Sequence, residues 1–128
     1  MFHIFDSQEE RRNVGGSAFI EIQFCGLPAG TAVKKIVAVS SIEHWKNDSL
    51  YVDDENGFYK EYSMILGCGT YNNMKSGTVD IYGINYYSPC VIDHITERLL
   101  KEKPADYEVF AAWLDKAKSY NGFYILGI

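Results

Sequence analysis

Apolar and polar residues alternate from Ala18 to Cys25, with Ile20, Ile22 and Phe24 on one side and Glu21 and Gln23 on the other. That period of two predicts a half-buried strand. Ahead of it, Met1 to Phe5 suits a short first strand, and the polar stretch Asp6 to Gly16 reads as a loop ending in Gly15-Gly16. Gly26-Leu27-Pro28-Ala29-Gly30 breaks the alternating strand. Thr31 to Trp45 fits two periods. Its β-branched Val33, Ile36, Val37 and Val39 suit a buried strand, whereas Thr31 as a cap suits a helix with Val33, Ile36 and Val37 on one face. Leu50-Tyr51-Val52 predicts a strand leading into a turn at Asp53-Asp54-Glu55-Asn56-Gly57, with Phe58 to Leu66 returning from it as a hairpin.

The second half is clearer. Thr78 to Tyr87 reads as a strand, and Ser88-Pro89 as the start of a helix over about 88–102, with Ser as N-cap and Pro at the first position. Ile92, Ile95 and Leu99 form its apolar stripe, joined by Val91 and Leu100. Acidic Asp93 and Glu97 come early and basic Lys101 and Lys103 late, as the helix dipole favours. Pro104 opens a second helix, about 104–120, that buries Phe110, Trp113, Leu114 and Ala117 and stops at Asn121-Gly122. The apolar run Phe123 to Leu126 suits a buried strand. Together these elements predict one α+β domain over 1–128. Its mostly antiparallel sheet of four to six strands packs against the two C-terminal helices and ends in the buried last strand.

Composition adds three constraints. Ten Tyr, seven Phe and two Trp are more aromatics than one small core hides, and tyrosine is enriched where proteins meet. The net charge of −5 is uneven, with ten acids against six bases in residues 1–61. No run of Lys and Arg is dense enough to follow a phosphate backbone, so direct nucleic-acid binding is not expected, while an acidic face attracts a basic protein. Cys25, Cys68 and Cys90 are odd in number and far apart, which fits a reducing compartment. The first residues lack a basic signal-peptide region, and no apolar run approaches a membrane span. The expectation is a cytoplasmic protein.

Candidate chemistry is sparse. His3, His44 and His94 show no metal-ligand spacing with one another, and no cofactor or metal is expected. Cys90 and His94 lie one helical turn apart, and a thiol in a first turn is favoured as thiolate, so the pair is the candidate for a thiol-dependent enzyme or redox sensor. Gly67-Cys68-Gly69-Thr70 matches neither a phosphate loop nor a nucleophile elbow and suits a bend beside a strand end. The denser feature is acidic and aromatic: Tyr51, Asp53, Asp54, Glu55, Tyr59, Glu61 and Tyr62 fall within twelve residues, with Lys60 the one base among them. Such a stretch can pair carboxylates with a partner's cations while the rings supply contact area, so these seven are the expected partner-binding residues.

The run from Gly77 to Pro89, then Lys103-Pro104-Ala105-Asp106-Tyr107, then Asn121 to Ile128 resembles the cytoplasmic immunity proteins of bacterial contact-dependent growth inhibition systems. The resemblance covers roughly the last fifty residues and implies a non-enzymatic protein that binds a cognate toxin domain. In such families the toxin is often a nuclease acting on RNA, and the immunity protein covers its active site or blocks substrate access. A nuclease presents a basic cleft to its polyanionic substrate, so the implied partner is basic and an acidic inhibitor suits it.

Overall fold

The computed structural model describes residues 1–5, 7–15 and 19–127. Asp6, Gly16 and Ala18, which bounded the expected loop and strand, and the final Ile128 lie outside them. Seven strands form one fully antiparallel sheet among the described residues: β1 (Phe2–His3), β2 (Ile20–Phe24), β3 (Leu50–Val52), β4 (Gly69–Tyr71), β5 (Ser76–Gly77), β6 (Ile84–Tyr87) and β7 (Phe123–Leu126). Their spatial order is β1-β3-β2-β7-β6-β4-β5, so the last strand lies at the centre and two-residue strands form both edges. The sheet is thus one strand larger than the expected range.

Helices α3 (Glu55–Leu66), α4 (Pro89–Glu102) and α5 (Tyr107–Ala117) cover one face. Ile20, Ile22 and Phe24 of β2 and Phe123 and Ile125 of β7 meet Phe58, Tyr62, Ile95, Leu99, Phe110 and Trp113 there. The expected stripes of α4 and α5 are buried; Leu100, expected to join the first, is half exposed. α4 begins at Ser88-Pro89 as its sequence predicts. Gly122 (φ +83°) leads from α5 into β7, and a Cβ there would fall 2.1 Å from the Tyr87 carbonyl oxygen.

The opposite face is covered too, by residues 25–49. This connection contains a single helical turn, α2 (Val33–Ile36), and a 3₁₀ turn at Val39–Ser41, so of the two periods the helical one holds for one turn, with Ala32 rather than Thr31 at the cap position, and no strand forms over Thr31–Trp45. It lays Ile36 and Val37 against Cys25, Tyr86, Tyr124 and Leu126. Consequently β2 is buried on both sides, and the expectation of a half-buried strand is corrected: Glu21 and Gln23 are each 2% exposed.

Three other expectations change. Residues within the predicted loop Asp6–Gly16 form α1 (Gln8–Gly15), because Ser7-x-x-Glu10 opens a helix: the Ser7 hydroxyl accepts from the Glu10 amide at 3.1 Å. The predicted hairpin at 53–66 is instead α3, because Asp54 acts as an N-cap, accepting from the Gly57 amide at 2.9 Å. Phe58, Tyr62, Ile65 and Leu66 then share one helical face. The strand expected over Thr78–Tyr87 begins only at Ile84, because residues 80–83 form a turn in which the Gly83 amide donates to the Asp80 carbonyl at 3.2 Å.

Candidate protein-binding face

Folding separates the seven residues that the sequence places together. Tyr51 points to the connection side of the sheet, buried, with its hydroxyl donating to the Lys46 carbonyl at 2.7 Å. Tyr62 is buried on the helical side, its hydroxyl bound to the Ala105 carbonyl. Burial holds that hydroxyl well above the usual tyrosine pKa, with Asp106 and Glu61 adding to the effect. Neither ring is open to a partner. Asp53 is exposed and shares a 2.6 Å hydrogen bond with His3 Nε2, and Asp54 caps α3.

Glu55, Tyr59 and Glu61 remain, all on α3 and at least partly exposed. Helical geometry sets Tyr59 and Glu61 on opposite rims of its outer surface. The sequence pattern does not single out Met64, one turn beyond Lys60 and 86% exposed. Nor does it single out Tyr82, 72% exposed in the turn after Val79. Each alone is ordinary, and the two line different grooves beside α3.

Two grooves flank α3. One, about 320 Å³, is lined by Asn56, Tyr59, Val79, Asp80, Ile81 and Tyr82. The other, about 500 Å³, runs between Glu61, Met64 and Ile65 and the end of α4 at Arg98, Lys101 and Lys103. Arg98 Nε donates to the Ile65 carbonyl at 2.7 Å, tying α4 to the end of α3. At the start of α5, the Met1 amino group meets Asp106 at 2.8 Å. That hydrogen bond, strengthened by charge, raises the amine's pKa and lowers that of Asp106. Asp53 and Asp54 lie close enough to add to the pull on the amine, so acids gather at this end of the molecule.

Cys90 and His94 occupy solvent-facing positions of α4. The Cys90 thiol lies 3.0 Å from the Ser88 hydroxyl, and no hydrogen bond joins it to His94 among the described residues. Cys68 is exposed beside Gly67, whose positive φ (+66°) ends α3, so Gly67-Cys68-Gly69 forms the expected bend. Cys25 is buried against the Tyr124 hydroxyl. All three thiols are free. Among the described residues, no group of three His, Cys, Asp or Glu could hold a metal ion, and no helix is long and apolar enough to cross a membrane. Compared with protein-family models, curated proteins and solved structures, the chain matches none.

Proposed function

We propose that this protein is an immunity protein, acting in the cytoplasm, that binds a basic toxin domain, a nuclease acting on RNA, through the outer face of α3. The observation that carries this reading is the joint exposure, on one helix, of Glu61, Tyr59 and Met64, with the partly exposed Glu55 at its start. Aromatic and methionine side chains supply contact area, and the acids steer a cationic partner. The net charge of −5 and the resemblance of the last fifty residues point the same way.

Titration calorimetry against the toxin domain encoded by the adjacent gene tests the reading; no detectable heat of binding sinks it. Charge reversal locates the face. Asp54 is unsuitable because reversing it would uncap α3, so the informative variant is Glu55→Lys with Glu61→Lys. Association measured by stopped flow should slow about tenfold at low salt and much less at high salt. An unchanged rate moves the interface off α3.

A second reading rests on Cys90, exposed in the first turn of a 14-residue helix. As a redox sensor or thiol enzyme it would react much faster than a free thiol at neutral pH. The pH profile of its alkylation decides this, and the profile of an ordinary cysteine removes the reading.

A further inference from the structure

Tyr82 sits in a turn that is held unusually firmly for a surface segment. Asp80 Oδ1 accepts from the Tyr82 amide at 3.0 Å, closing the turn on itself. Beneath it, the fully buried Asn85 side chain accepts from the Asp80 amide at 2.7 Å and donates to the Asp80 carbonyl at 2.8 Å and the Ile125 carbonyl at 2.9 Å. The Gly127 amide donates to the Gly83 carbonyl at 2.7 Å, and a Cβ on Gly127 would fall 2.5 Å from the Ile81 backbone. The turn is thereby fastened to the two strands β6 and β7. A buried amide thus serves to hold a loop whose most prominent side chain is an exposed aromatic ring. A backbone held in place this way loses little freedom when a partner covers the ring it carries, which is the economy of a preorganised contact.

Across the groove stand Tyr59 and Asn56 of α3, and Val79, 3% exposed, lines it between them. Asp80 Oδ1 is engaged by the turn, whereas Oδ2 makes no hydrogen bond among the described residues. The groove therefore combines two tyrosine side chains, an apolar lining and one carboxyl oxygen not engaged by the turn. A flat cation on an apolar stem satisfies all three. Guanidinium stacks on aromatic faces, bonds a carboxylate in its own plane and sheds water more readily than ammonium. From this geometry we infer that the Tyr59–Tyr82 groove receives an arginine side chain of the protein partner. The inference rests on the reading of α3 as the binding face and names the contact at its edge.

Two variants isolate the groove without disturbing the fold. Asp80→Asn keeps an oxygen to close the turn while removing the charge, and Tyr82→Ala trims an exposed ring. ¹⁵N-labelled protein titrated with hexa-arginine should show amide shifts concentrated at Asn56, Tyr59 and Asp80–Gly83. Hexa-lysine should shift them less, and both variants should abolish the localised response. Shifts spread evenly over the acidic surface, or unaltered in the variants, overturn the inference. Against the toxin domain, Tyr82→Ala should weaken binding about 30-fold, the scale of an aromatic hot spot. Toxin binding that both variants leave intact removes the arginine site but not the immunity reading. A localised arginine response without toxin binding does the reverse.

Discussion

Removing the Glu21 carboxyl group would leave several donors without an acceptor where water does not reach. Oε1 accepts from the Trp45 amide at 2.7 Å, and Oε2 accepts from the Lys46 amide at 3.0 Å, the Ser49 hydroxyl at 2.6 Å and the Gln23 amide group at 3.0 Å. This one side chain therefore clips residues 45–49 to the sheet. Glu21→Ala should cost about 3 kcal/mol, since each orphaned buried donor costs on the order of 1–3 kcal/mol and relaxation recovers part of it. Glu21→Gln should cost less, because its oxygen can replace Oε2 and only its NH₂ would face the Trp45 amide. Urea denaturation checks the order of the two, and equal stability of all three proteins would show that the clip contributes nothing. From sequence, Glu21 reads as a solvated outer position of a strand. Burial of that face depends on a remote connection, residues 43–49, whose path no local pattern encodes.

At the scale of elements, α3 depends on its first turn. Asp54→Ala removes the acceptor of the Gly57 amide and should lower stability by about 1 kcal/mol, seen as a reduced urea midpoint and faster amide exchange at Asn56 and Gly57. Protection unchanged at those amides would show that the cap is dispensable. The same turn explains what was legible beforehand. Elements with redundant signals are legible in the sequence: α4 has Ser88-Pro89 at its start and a clean stripe, and β7 is a four-residue apolar run bounded by glycines. α3 reads as a hairpin in the sequence because Asn56-Gly57 is a strong turn signal. The cost fell on the candidate site. A hairpin would have kept the seven residues together, whereas a helix turns Tyr62 inward and brings Met64 out. Tyr82 is not legible as a surface residue because its exposure follows from a turn closed by Asp80 and Asn85, a contact made only once β6 is in place.

For the molecule as a whole, the surplus of tyrosine divides between surface and core. Tyr59, Tyr82 and Tyr120 are exposed, whereas Tyr62, Tyr86, Tyr87 and Tyr124 are interior. Burial raises the pKa of all four, Tyr86 to about 12 with smaller contributions from Cys25 and Cys90. A tyrosine that resists deprotonation when folded leaves stability intact below its ordinary pKa of about 10 and erodes it as pH rises through the raised values. Tyrosinate absorbance should therefore increase in two stages, the second coinciding with loss of the near-ultraviolet circular dichroism signal near or above pH 12. A second stage completed while the fold remains intact would contradict the buried placement of these rings.

The central position of β7 also governs how the chain reaches this state. On one side of it β1, β3 and β2 form a three-stranded sheet, and on the other β6, β4 and β5 form a second, with β7 paired to both among the described residues. During synthesis the two half-sheets can assemble as their strands emerge from the ribosome, but they stay unjoined until the residues after Gly122 are free. Their neighbouring strands, β2 and β6, then wait with open hydrogen-bonding edges, and that interval is when non-native strand pairing is most favoured.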